Sequence, residues 1–297
     1  MVTLTHVGFD EFGFLPAQAR DQGRPAPSAR RETLSLSDGR ALSGIRYGDD
    51  PARTVLLHGA GLNAHTWDRT VIALDAPAIA VDLPGHGESD WRGDADYSPA
   101  LLAADVIAAI EAWADAPVVL VGQSLGGLTA LHVAASRPDL VRALTIVDIV
   151  PGASSGGASG LAAFYARLEF SDVEDVLDHA LSFGLGGGRG AARAGVLLNT
   201  RPRPDGGVEW KHHVARLLHD GRFLAPDVDA LWRALDAVAA PLTLVRGSHG
   251  YLDDADVAAF SARAPEVTVV ELDAPHNVQE IAFADLARII RSAPPRV

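Results

Sequence analysis

Short apolar runs alternate with amphipathic segments along most of this chain. Runs rich in Val, Leu and Ile recur at Thr54–Leu57, Pro77–Val81, Pro117–Val121, Val141–Val147, Pro241–Val245 and Val267–Leu272. Runs this short and this apolar predict strands, buried ones at Thr54–Leu57 and Pro117–Val121. Between them, apolar residues fall at helical spacing in Asn63–Leu74, Pro99–Ala114, Leu125–Ala135, Asp254–Ala264 and Val278–Arg291. Two earlier segments differ. Glu32–Ser37 alternates polar and apolar, as a half-buried strand does, and Asp38-Gly39 is a hairpin turn signal that returns the chain as a second strand, Arg40–Tyr47. Strands alternating with helices predict a mainly parallel α/β sheet.

The pattern breaks in two places. Residues 1–29 carry Phe9, Phe12 and Phe14 and then a Pro/Gly/Arg-rich stretch, Gln22–Ala29, which predicts a short arm packed on the body and an irregular connector. From Pro151 to Ala239 the apolar strands stop. Pro151–Gly160 is rich in Gly, Ser and Ala, and Gly184–Gly190 is nearly all Gly. Leu161–Leu181, Glu209–Leu218 and Val228–Ala239 predict helices. The expected organisation is therefore an N-terminal arm (1–29), an α/β core (30–150 and 240–297) and a helical cap (151–239). The insertion follows a parallel strand, so it should emerge at the carboxyl edge of the sheet, where ligands bind in such folds. The aromatic residues Phe164, Phe183, Trp210 and Trp232 are expected mainly to form the insertion's own core. The tail, Ala293–Val297, is expected to be loose.

Composition narrows the function. With 297 residues, 48% of them hydrophobic, the chain can build a large core. Its net charge of −13 argues against nucleic acid or an anionic membrane surface as partner. The absence of cysteine removes disulfides, thiolate metal ligands and thiol nucleophiles. The first residues lack a basic segment followed by an apolar run, and no stretch of about 18 apolar residues occurs, so a cytoplasmic protein is the expectation.

The chemistry centres on Ala116–Ala134, APVVLVGQSLGGLTALHVA. Gly122-Gln123-Ser124-Leu125-Gly126 is G-x-S-x-G between a strand and a helix. That context defines a nucleophile elbow, a strained turn that presents one serine hydroxyl at the top of a sheet. The helix N-terminus beneath Ser124 directs free N–H groups at the reacting centre. His58-Gly59-Ala60-Gly61 follows the Thr54–Leu57 strand. A turn of small residues there can bring a backbone N–H to face the elbow as one half of an oxyanion hole, with the N–H after the nucleophile as the other half.

A serine hydroxyl needs a base, and the base needs a group to orient it. In G-x-S-x-G enzymes the order along the chain is serine, acid, histidine. His276, in Asp273-Ala274-Pro275-His276-Asn277 after the last strand, fits the base. Asp148, at the end of Val141–Val147, is the preferred acid. The alternatives are Asp253 and Asp254, which lie after Gly250-Tyr251-Leu252, three residues past the place a strand-end acid would occupy, and also suit the N-cap of the helix that follows. His58 and His86 read as loop supports. His179, His212, His213 and His219 lie in the insertion and are expected on the surface or at the substrate mouth. They lack a carboxylate at ligand spacing, so no metal site is expected, and the chemistry requires no cofactor.

This combination resembles the α/β-hydrolase superfamily over about residues 30–293. More narrowly, Asn63–Asp68 (NAHTWD), Ala80–Ser89 (AVDLPGHGES), Ser124–Ala130 (SLGGLTA) and Leu244–Gly247 (LVRG) resemble actinobacterial and mycobacterial serine esterases acting on short-chain esters. The resemblance implies a mostly parallel eight-stranded sheet with a cap. It also implies Ser124 as nucleophile, Asp148 as acid, His276 as base, Ala60 and Leu125 at the oxyanion hole, and a small-molecule ester as substrate. One departure stands out: the acid position common in the wider superfamily holds Gly250 here. The same residues also suit C–C bond hydrolysis, lactone opening or cofactor-free perhydrolysis, and a ligand-binding homologue with little turnover is the reading from a different class.

Overall fold

In the computed structural model, described here for residues 9–153, 158–184, 188–222 and 226–293, the apolar runs assemble into one eight-stranded sheet. The strands are β1 (Ala29–Ser35), β2 (Ala41–Tyr47), β3 (Thr54–Leu57), β4 (Ala78–Asp82), β5 (Val118–Gln123), β6 (Val141–Val147), β10 (Leu242–His249) and β11 (Thr268–Pro275). Their spatial order is β1-β2-β4-β3-β5-β6-β10-β11. β2 runs antiparallel to both neighbours, and every pairing from β4 to β11 is parallel. The central parallel strands β3 to β6 are buried on both faces, which is why they read as unbroken apolar runs, whereas β11 at the sheet edge is largely exposed.

Helices cover each face. On one side α3 (Pro99–Trp113) and α4 (Leu125–Ser136) enclose a cluster that includes Leu57, Leu120, Ile146 and Leu244. On the other, α2 (Asp68–Leu74) and α12 (Phe283–Arg291) pack over Leu56, Val121, Val147 and Val245. The predicted helix Asn63–Leu74 opens with a 3-10 turn, Ala64–Trp67, before α2 begins. The predicted Val278–Arg291 helix is broken at Ala282 into α11 (Val278–Ile281) and α12. The arm forms a short helix, α1 (Leu15–Asp21), with Pro16 in its first turn, where a missing N–H is harmless. Its Leu15 and Ala19 join the second cluster.

The segment between β6 and β10 contains α5 (Ala158–Phe164), β7 (Glu169–Phe170), α6 (Val173–Ser182), α7 (Arg189–Asn199), β8 (Thr200–Pro202), β9 (Val208–Trp210), α8 (His213–His219) and α9 (Val228–Ala237). Helix was expected from Glu209 to Leu218, and this is corrected. Val208–Trp210 is a strand, the centre of a three-stranded antiparallel sheet β7-β9-β8, and helix begins only at His213. Alternate residues Val208 and Trp210 are buried while Glu209 is more open, the period-2 signature over a span too short to outweigh the helical pattern that follows.

Phe164 and Trp210 belong to the insertion's separate cluster, with Phe170, Val176 and Leu177. Phe183 is exposed, and Trp232 packs instead on the main core beside Phe260. The glycine-rich connections expected around 152–160 and 184–190, and the tail, fall partly outside the described residues.

Candidate active site

The elbow is sterically demanding. Ser124 has φ +51° and ψ −119°, a backbone conformation that L-residues rarely adopt. The turn closes because two positions lack a side chain. A β-carbon on Gly122 would lie 2.3 Å from the Gly126 carbonyl oxygen, and one on Gly126 would lie 2.4 Å from that of Leu57. Gly127 and Leu128 N–H groups donate to the Ser124 carbonyl, so α4 starts directly beneath the serine. Among the described non-glycine residues, positive φ occurs also at Asp75, Ala95 and Asp148. Two of these four strained positions are thus the candidate nucleophile and acid.

Asp148 ends β6 and is fully buried. A buried carboxylate must be fully hydrogen bonded to be tolerated. Here Gly247 N–H donates to Oδ1 at 2.9 Å, and Tyr251 N–H donates to Oδ2 at 2.8 Å. His276 Nδ1 donates to the same Oδ2 at 2.8 Å. That bond fixes the imidazole tautomer, leaving Nε2 as the nitrogen able to accept a proton.

The structure therefore brings Asp148 and His276 together and keeps Asp253 and Asp254 elsewhere. Asp253 caps α10 (Asp254–Arg263) in a reciprocal capping box with Asp256, and Asp254 pairs with Arg246. Gly250 explains how β6 can supply the carboxylate: a β-carbon there would sit 2.2 Å from Asp148 Oδ2. The space a side chain would take on the β10 loop is filled by the Asp148 carboxylate.

The elbow and the His276 loop meet through Gln123, whose Nε2 donates to the His276 carbonyl at 3.3 Å. Among the described residues no hydrogen bond joins Ser124 Oγ to His276. In free enzymes this contact is often long and tightens with substrate. The His58–Gly61 loop lies against the elbow, since a β-carbon on Gly59 would lie 3.1 Å from Ser124 Cβ. Ala60 and Leu125, the candidate oxyanion donors, are both partly exposed beside this contact.

His58 and His86 hold the loops, as expected. His58 donates from Nδ1 to the Gly59 carbonyl and accepts from Leu83 N–H at Nε2. Burial pushes it down to about 4, so it stays neutral. His86 donates to the Pro84 carbonyl, and burial, then His58, push it down to about 3. His179 and His219 donate to the carbonyls of Phe164 and Ala166.

The surface placement expected for His212 is corrected. It is 1% exposed, wedged between Trp210, Tyr165 and His86, because the insertion docks on the β4 loop there. His213 belongs to the same seam. It stacks on Trp91 at 4.2 Å, bonds the Tyr97 hydroxyl through Nδ1, and donates its N–H to the Gly85 carbonyl.

Two contacts had no signal in the pattern. Tyr251 stacks on the His276 ring with centroids 3.7 Å apart and planes 16° from parallel. Gln123 was visible only as one of the two variable positions of the elbow motif. Among the described residues no group of three or more His, Cys, Asp or Glu side chains could hold a metal ion, and no helix is long and apolar enough to cross a membrane.

An eight-stranded hydrolase-type sheet, an elbow serine and a histidine–carboxylate pair at one sheet edge define the class of protein. The chain belongs to the alpha/beta hydrolase family, which residues 54–289 match. Among particular proteins it is similar to esterase Rv0045c of Mycobacterium tuberculosis, with 36% identity over 96% of this chain and 95% of that one. It is also similar to lipase LipV of the same organism, at 30% identity over 83% of this chain and 95% of the other. A solved structure of the Rv0045c esterase superposes with a TM-score of 0.82 at 35% identity, covering 96% of this chain and 98% of that one. The chain is accordingly a hydrolase of the esterase kind.

Proposed function

We propose that this protein is a serine carboxylic-ester hydrolase acting on small or medium esters through Ser124, His276 and Asp148. The observation that supports the assignment best is the 2.8 Å bond from His276 to the buried Asp148, beside a serine held at positive φ. In this reading Ser124 Oγ attacks the ester carbonyl as His276 Nε2 takes its proton. Asp148 holds the ring and stabilises its positive charge. The Ala60 and Leu125 N–H groups receive the oxyanion, each donor being worth roughly 3–4 kcal/mol. The tetrahedral adduct collapses, His276 protonates the leaving alcohol, and the acyl group remains on Ser124. Water, deprotonated by His276, then attacks the acyl-enzyme and releases the acid and the free serine.

The reading assigns residues 151–239 to a cap over Ser124 that sets substrate size. The seam of Trp91, Tyr97 and Gly85 with Lys211 and His213 supports this, since it ties the insertion to the loop after β4 at the carboxyl edge of the sheet.

The test is a series of p-nitrophenyl esters of rising chain length, run with wild type and Ser124→Ala. Turnover of the shorter esters with its loss in the folded variant is the expected result. A Ser124→Ala enzyme keeping more than about a tenth of wild-type kcat contradicts the assignment.

A further inference from the structure

One hydroxyl beside the oxyanion loop bonds to none of the described residues. Tyr165 follows α5, and its ring packs edge-on against Phe164, Trp210 and His212, with centroids 4.8, 5.5 and 4.8 Å away. The residue is only 4% exposed. Its oxygen is pressed against Gly61, where a β-carbon would lie 2.4 Å from it. Tyr165 makes no hydrogen bond through this hydroxyl to any described residue, and burial pushes the phenol up, so it remains a donor. The sealed ring nitrogens of His212 are among the fully enclosed polar atoms, whereas the Tyr165 oxygen is not.

Buried tyrosines normally find a partner for the O–H, because an unmade hydrogen bond leaves the desolvation penalty uncompensated. A phenylalanine, as at the neighbouring position 164, would fill the same space without that penalty. The place of the hydroxyl says what it serves. Gly59 touches Ser124, Ala60 carries the candidate oxyanion N–H, and Gly61 touches the phenol. Two residues of chain span at most about 7 Å, so the hydroxyl, which meets Gly61 and not Gly59, lies a short reach along the loop from the serine.

The surroundings also restrict the charge of what it meets. Burial raises the Tyr165 phenol, and among the described residues its hydroxyl has no ion-paired or hydrogen-bonded partner. Its polar neighbour His212 is itself held neutral by burial. A carboxylate placed there would be desolvated without a counter-ion, which is costly; a ketone, amide or ether oxygen would not be.

We propose that Tyr165 is a specificity residue whose hydroxyl donates a hydrogen bond to a neutral oxygen carried by the substrate near, but outside, the scissile ester, so that oxo-substituted esters are preferred to their plain alkyl counterparts. This rests on the serine-esterase reading.

The test compares wild type with Tyr165→Phe on two matched pairs: p-nitrophenyl 4-oxopentanoate against the pentanoate, and the butyrate of 5-hydroxypentan-2-one against that of pentan-1-ol, followed by pH-stat. In at least one pair wild type should favour the oxo ester about tenfold in kcat/KM, the size of one recovered hydrogen bond. Tyr165→Phe should abolish that preference through KM, leaving the plain ester within about twofold. Equal use of both members by wild type, a preference that survives in Tyr165→Phe, or equal loss on both members overturns the inference while the esterase reading stands. A wild-type enzyme that cleaves none of the four esters overturns both.

Discussion

Replacing Gly250 by Ala should disable the enzyme through one methyl group. The new carbon would fall 2.2 Å from Asp148 Oδ2, 2.4 Å from Oδ1 and 2.5 Å from Cγ, whereas ordinary contact begins at 3.4 Å. Relief therefore requires the carboxylate or the β10 loop to move by about 1 Å, given the steepness of the repulsive wall. The carboxylate cannot do so cheaply, because Gly247 N–H, Tyr251 N–H and His276 Nδ1 all bond to it at 2.8–2.9 Å. Breaking one or two of these charge-assisted bonds should destabilise the fold by on the order of 2–4 kcal/mol. A 1 Å misplacement of a group that aligns the base costs about 10²-fold in rate, and a base left in the wrong tautomer about 10⁴-fold. The assay is kcat/KM on a p-nitrophenyl ester beside urea unfolding, with Ser248→Ala, an exposed neighbour, as the control. The expected result is a loss of at least 10²-fold for Gly250→Ala and near wild-type behaviour for the control. A folded Gly250→Ala enzyme within about threefold of wild type would refute the reasoning, because the carboxylate would then have room that the structure denies it.

Two further predictions concern stability. Burial works against charge on His65, but Asp68 and Glu11 overcome it and lift the group to about 9 from 6.5. Its contribution, on the order of 3 kcal/mol, is full below pH 6.5 and fades as pH rises through 9. His65→Gln should accordingly flatten the fall in Tm between those values, and an unchanged alkaline limb would contradict the assignment. Asp253→Ala removes only the capping box of α10, so it should lower stability by about 1 kcal/mol in urea titration with kcat unchanged, whereas loss of activity there would return Asp253 to the site.

Legibility differed by kind of element. The central parallel strands announced themselves because burial on both faces demands uninterrupted Val, Leu and Ile, and the turn after β5 because only glycines fit at 122 and 126. Asp148 is favoured in the sequence by its place at a strand end, by the N-cap role open to Asp253 and Asp254 and by the resemblance, and its carboxylate does meet His276. What made that possible, the empty position at Gly250, was visible in the sequence only as a departure from a resemblance. β9 was missed because three alternating residues joined to His213–His219 look like one helix, and their partners in β7 and β8 are separated from them by turns and helices. His212 is buried only by docking between the insertion and the β4 loop, a tertiary event with no local signature. Tyr251 and Tyr165 likewise carry their meaning in ring contacts across the fold, to His276 and toward Gly61.

The central claim is that Ser124 forms the acyl-enzyme. It is tested most directly by covalent trapping: the purified protein is treated with an alkyl fluorophosphonate, then digested and mapped by mass spectrometry, with Ser124→Ala alongside. The account predicts one adduct per chain, on the peptide bearing Ser124, with parallel loss of esterase activity and no labelling of the variant. An adduct on a different residue that tracks the loss of activity, or full inactivation with Ser124 unmodified, would contradict it.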